Sequence, residues 1–130
     1  MIFFLTMSDD KSSKISSAEA QYKAIVKAVE SGDNKAKTQL VYYKLSGYGG
    51  CEIDVDEAVV LLEERVKDKD TEAMWMLGLC YEYGMGCKQD LKQAESLYKQ
   101  SSDGGNEIGK FLLEYGKQTR GTGVMQVVGL

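Results

Sequence analysis

The stretch TEAMWMLGLCYEYGMGCKQDLKQAESLYKQSSDGGN, residues 71–106, decides the fold. Ala73, Leu77 and Tyr81 recur at helical spacing up to Gly84-Met85-Gly86. A second periodic run, with Ala94, Leu97 and Tyr98, follows Asp90 and ends at Gly104-Gly105-Asn106. Glycine accepts the left-handed backbone that a tight helix exit needs, so each glycine cluster reads as a stop. The spacing predicts a helix over 72–83 capped by Thr71, a loop, and a helix over 91–102 capped by Asp90. Half of such a hairpin cannot bury its apolar stripe alone. The fold therefore depends on whether the flanking chain supplies copies.

It does. Shifted by 36 residues, Cys51 falls on Cys87, Val55 on Leu91, Ala58 on Ala94, Leu61 on Leu97, Asp70 on Asn106 and Leu77 on Leu113. Upstream of the first glycine loop the shift becomes 37, and Ala36 meets Ala73, Leu40 meets Leu77 and Gly47 meets Gly84. The change of register falls between Gly47-Tyr48-Gly49-Gly50 and Gly84-Met85-Gly86, a loop, where insertions belong. Periods of this size mark stacked helical hairpins. Further helices are predicted over 18–31, stopped by Gly32; over 34–46, with Ala36, Leu40 and Tyr43 inward; over 55–67, capped by Asp54 with Ala58, Leu61 and Leu62 inward; and over 107–117, with Phe111, Leu112 and Tyr115.

In the central unit the pattern reads Ala73, Leu77-Gly78, Tyr81, Gly84, Gly86, Cys87, Asp90, Ala94 and Tyr98. It resembles the Sel1-like repeat (SLR), an α/α relative of the tetratricopeptide repeat. The tetratricopeptide repeat itself has a period of about 34 residues and a terminal proline. It fits less well a chain with a 36-residue shift, a Gly-x-Gly loop and no proline. The first unit departs from the pattern at Val41, where the helix glycine should stand, and at Lys44, where the tyrosine should stand. The third unit has its first helix and then Gly121-Thr122-Gly123-Val124, but no second helix pattern follows.

The resemblance implies an all-α fold, a short right-handed α/α solenoid (superhelix) of about two full helix–loop–helix repeats plus flanking half-repeats. The expected organisation is a flexible segment over 1–17 and a repeat domain over 18–124, with repeats at 34–70 and 71–106 and a partial one at 107–124. The tail over 125–130 is a candidate cap. The resemblance further implies a non-catalytic adaptor or scaffold that holds a protein or peptide on a concave surface lined by the first helix of each pair.

Composition narrows the chemistry. The 130 residues carry a net charge of −4, a poor match for nucleic acid. There is no histidine, the commonest general base and metal ligand. The three cysteines, Cys51, Cys80 and Cys87, are odd in number and do not space like a secreted disulfide framework. Without histidine they complete no four-ligand zinc set. Cys51 and Cys87 read as small apolar side chains at one repeat position, and Cys80 lacks a base to activate it. No catalytic residue, metal or cofactor is assigned, and a cytoplasmic setting is expected. The start, MIFFLTM, has no basic region before its apolar run and is too short to span a bilayer. Met7 is an alternative start.

One stripe stands out. Two positions past the small residues Ala36, Ala73 and Gly109 come Thr38, Trp75 and Phe111, and one turn further on come Tyr42, Leu79 and Tyr115. These positions lie off the Ala/Leu face that packs within a hairpin. Aromatic side chains dominate interface anchors, so Tyr42, Trp75, Leu79, Phe111 and Tyr115 are the candidate partner-binding residues. The same residues could pack against adjacent helices and complete a small core. The alternative function is a structural or self-associating subunit whose groove is filled by its own terminal segment, or a homo-oligomer joined through open repeat ends. The apolar ends MIFFLTM and GVMQVVGL suit such a role.

Overall fold

Three helices begin in the same way. The Asp33 carboxylate accepts the N–H of Ala36 at 3.1 Å. Asp70 accepts those of Glu72 at 3.0 Å and Ala73 at 3.3 Å. The Asn106 carboxamide oxygen accepts those of Ile108 at 2.9 Å and Gly109 at 3.0 Å. Each bond satisfies a donor that a first helical turn leaves open. The residue before each cap has a positive φ: Gly32 at 91°, Lys69 at 63° and Gly105 at 91°. One turn design therefore recurs three times, twice with glycine and once with lysine.

These turns and two glycine-rich loops separate six α-helices in the computed structural model, which describes residues 17–118. They are α1 (17–30), α2 (Asn34–Ser46), α3 (Val55–Lys67), α4 (Thr71–Tyr83), α5 (Leu91–Asp103) and α6 (Glu107–Gly116). A short 3-10 turn, Tyr48–Gly50, lies between α2 and α3. Gly47 and Gly84 close α2 and α4 in the left-handed conformation. Thr71, expected as the cap of α4, is instead its first helical residue, and Asp70 caps. Both residue types cap well and they are adjacent, so sequence alone did not separate them. The expectations for the apolar start, the 121–124 loop and the 125–130 cap lie outside the described residues.

The chain divides into two compact units, Met1–Ala58 and Val59–Leu130, with the division inside α3. In the first, the Tyr22 ring of α1 sits 5.6 Å from that of Tyr43 on α2, and Tyr43 sits 6.1 Å from Tyr48. Ala36, Leu40 and Val41 are buried. Lys44, which departs from the repeat pattern, bonds twice to the start of α3. Its ammonium lies 2.9 Å from the Glu57 carboxylate, and its carbonyl accepts the Asp54 N–H at 2.9 Å. These two bonds seat the start of α3 on the end of α2. The Glu57 carboxylate raises the Lys44 pKa above its ordinary value.

In the second unit α5 packs on both α4 and α6, and α4 also touches α6. Ala73, Leu77, Cys80, Ala94, Leu97 and Tyr98 are buried there. Burying one Leu or Met side chain contributes about 1.5–3 kcal/mol, so this apolar interior is the main stabilising term. At Gly78 the helices come close enough that an added Cβ would stand 2.5 Å from Cε1 of Tyr98. Tyr98 is fully buried, and its hydroxyl donates to the Glu82 carboxylate at 3.0 Å. One turn along α5, the buried Ser101 hydroxyl donates to the Thr71 carbonyl at 2.8 Å, and Gly109 of α6 leaves room for that serine. Arg65 of α3 is held by Asp68 at 2.7 Å and lies 3.6 Å from Asp70, the cap of α4. The loop after α4 folds back along it, with the Asp90 N–H donating to the Tyr81 carbonyl at 2.9 Å and Gln89 to the Glu82 carbonyl at 2.8 Å.

Candidate protein-interaction face

Helix α6 builds the face most plainly. Gly109 and Gly116 are buried and Leu112 and Leu113 half-buried, so that side turns inward. Ile108, Phe111 and Tyr115 follow at i, i+3 and i+7, on the opposite side. They are 50%, 63% and 52% exposed. The Phe111 and Tyr115 rings stack along the helix, centroids 6.0 Å apart and planes within 18°. An apolar ridge of three large side chains is thus left open to water.

The other candidate residues differ in exposure. On α4, Trp75 and Leu79 hold the repeat positions of Phe111 and Tyr115 and are half-buried. The Trp75 indole N–H is out of solvent and has no acceptor within hydrogen-bond distance. Tyr42, on α2 of the first unit, is 44% exposed, while Thr38, the α2 counterpart of Trp75, is buried. Phe111 and Tyr115 are the pair among the five whose rings meet.

Sequence reasoning missed Ile108. The signal was present, since Ile108 stands three residues before Phe111 on the same face, but the repeat shift pairs it with the polar Glu72. A second departure concerns the fit between helices. The counterpart of Gly78, under the shift that carries Leu77 to Leu113, is Glu114, which is exposed.

Burial sets the state of two of the cysteines. Cys51, Cys80 and Cys87 are all free thiols. Burial pushes the Cys80 thiol up to about 11, and the nearby Cys87 adds to the shift. Burial, with help from Glu63, also raises Cys87. Both are neutral thiols near pH 7, the form that is a poor nucleophile. Tyr81 is raised as well, by burial and then by Glu63. Among the described residues no cluster of three or more His, Cys, Asp or Glu is placed to hold a metal ion. No helix among them is long and apolar enough to cross a membrane. A separate open cleft of about 420 Å³ lies at the junction of α3, α4 and α5, with Met74 on its wall and Lys67, Lys69 and Asp103 around it. Its charges are of both signs.

Paired helices with small residues at their contacts, glycine exits and Asx-capped entries define an α/α repeat protein of the tetratricopeptide-like class. Within that class the Sel1 repeat model matches residues 71–106, the central helical pair. Among solved structures, the chain is similar to a Sel1 repeat protein from Oxalobacter formigenes, at 28% identity and a TM-score of 0.67, over 78% of this chain and 39% of that one. It is also similar to a protective antigen of uropathogenic Escherichia coli displaying an SLR fold, at 28% identity and a TM-score of 0.64, over 75% of this chain and 21% of that one. This chain thus corresponds to less than half the length of either. Cysteine rich protein B of Helicobacter pylori shares the fold at 20% identity and a TM-score of 0.61, over 71% of this chain and 68% of that one. No curated protein sequence matches the chain. Sel1-like repeats generally mediate protein interactions and are generally non-catalytic.

Proposed function

We propose that this chain is a non-catalytic interaction module that docks a peptide or protein segment on the exposed face of its first-type helices. The observation that carries this reading is the stacked, solvent-exposed pair Phe111 and Tyr115, extended by Ile108. Large aromatic side chains are rarely left in water along one helix face without a partner to cover them. Trp75 and Leu79 on α4 hold the same repeat positions and are the further contacts of this reading, and Tyr42 holds the equivalent position on α2 of the first unit. The concave side of a repeat stack is where such a segment lies in this class of protein. The three free thiols suit a reducing, cytoplasmic setting.

The test is capture of binding partners by the intact protein, by Phe111→Ala/Tyr115→Ala, and by Leu91→Ala as a control. Leu91 is exposed on α5, away from the face. Partners lost with the double variant and kept with the control support the reading. Partners retained equally by all three proteins would overturn it. A wild-type protein that is dimeric by light scattering, and monomeric as the double variant, would favour the self-associating alternative.

A further inference from the structure

The charge around the apolar ridge indicates what kind of segment covers it. Glu107 and Glu114 stand at i−4 and i+3 from Phe111, so both flank it on the helix surface. Both are exposed, and neither is engaged in an ion pair among the described residues. Lys110 and Lys117 fall further round the helix from Phe111 than these carboxylates. On α4, Glu72 is half-buried and the Glu82 carboxylate accepts the Tyr98 hydroxyl, so the open acidic groups beside the aromatic ridge are Glu107 and Glu114. The face is therefore aromatic at its centre and acidic at its edge. Exposed aromatic rings add a second preference of the same sign, since the faces of Phe, Tyr and Trp attract Lys and especially Arg. An acidic segment brought here would meet like charge at Glu107 and Glu114, and a neutral apolar one would leave both unmatched.

We propose that the occupant of this face is a basic amphipathic segment, with apolar anchors seated on Phe111 and Tyr115 and Lys or Arg side chains set against Glu107 and Glu114. This rests on the docking role proposed above and specifies the chemistry of the partner. A second copy of this chain is the less suitable occupant, because its own ridge would bring the same carboxylates against these. Rim charges of this kind mainly set selectivity and association rate, and their effect weakens with salt.

The test uses three fluorescently labelled peptides and anisotropy at low ionic strength. The first is an amphipathic peptide of Leu and Trp flanked by Lys and Arg. In the second every Lys and Arg is replaced by Glu. The third keeps the basic residues but carries Ser in place of Leu and Trp. The expected result is that the first binds about tenfold tighter than the second, with the third weakest. Phe111→Ala/Tyr115→Ala should then weaken the first about tenfold, and Glu107→Gln/Glu114→Gln should remove most of its advantage over the second. Added salt should narrow that advantage. If the first and second peptides bind alike and both lose affinity in the aromatic variant, the docking face stands and the basic partner is overturned. If the aromatic variant binds every peptide as the parent does, the docking face itself is overturned. A parent protein that is dimeric by light scattering, and monomeric when Phe111 and Tyr115 are removed, would assign the face to a second copy and overturn the proposal. All four altered side chains are exposed, so circular dichroism should show the parent helix content in each variant.

Discussion

Gly78 lacks a side chain because Tyr98 fills the space where one would be. A Cβ there would stand 2.5 Å from Cε1 of a ring that is fully buried and tied by its hydroxyl to Glu82. The ring has nowhere to retreat, so Gly78→Ala should destabilise the protein by about 1–3 kcal/mol despite the better helix propensity of alanine. Urea unfolding measures this, and an unchanged midpoint would show that α4 and α5 can separate cheaply. Lys69 presents the opposite case. It holds a φ of 63° where the two equivalent turns use glycine. For an L residue the left-handed region costs about 1–2 kcal/mol, part of which glycine gives back through its looser unfolded chain. Lys69→Gly should therefore raise stability by about 0.5–1 kcal/mol in the same experiment. A loss would mean that the lysine side chain contributes more to the α3–α4 turn than its backbone costs.

At the level of elements, the helix limits were legible because their signals are local. Gly47, Gly84 and the Asx caps act within a turn of the chain, so α2 and α3 begin and end where their residues predict. The cap of α4 was misread because Asp70 and Thr71 are neighbours of equal aptitude, and only the direction of the side chain distinguishes them. The bonds from Tyr98 to Glu82 and from Ser101 to Thr71 were not legible, since they join residues from different helices. The candidate face was legible as a set of repeat positions but not in its exposure. Trp75 and Phe111 share a position, yet their neighbours leave one half-covered and the other open. Cys80 makes α4 sensitive to alkali. Its folded thiol keeps the proton up to about 11, while the unfolded one releases it near the ordinary 9.0. The stability linked to that proton is whole below 9.0 and is lost as pH rises from there to about 11, an amount of about 2–3 kcal/mol. The advantage of the parent over Cys80→Ala in urea unfolding should shrink across that window. A difference that stays constant with pH would mean that the thiol titrates as it does in water.

For the molecule as a whole, the repeat architecture and the all-α class followed from the spacing of small, aromatic and glycine residues, because each unit restates the same local rules. Composition makes its own prediction. The chain contains no proline, so no prolyl bond has to isomerise during folding. Refolding followed by stopped-flow fluorescence of Trp75, the single tryptophan, should show no phase of tens of seconds, and a delay in the unfolded state should not create one. A slow phase that grows with that delay would contradict this. The contrast between Gly78 and Glu114 bears on how such a gene can grow. Tandem duplication extends a repeat array only where each first-type helix can take a second-type helix beside it. A helix carrying the α5 pattern and laid against α6 would bring the equivalent of Tyr98 against Glu114 rather than a glycine. For a copied α5 to seat there as the original seats on α4, codon 114 would have to specify glycine.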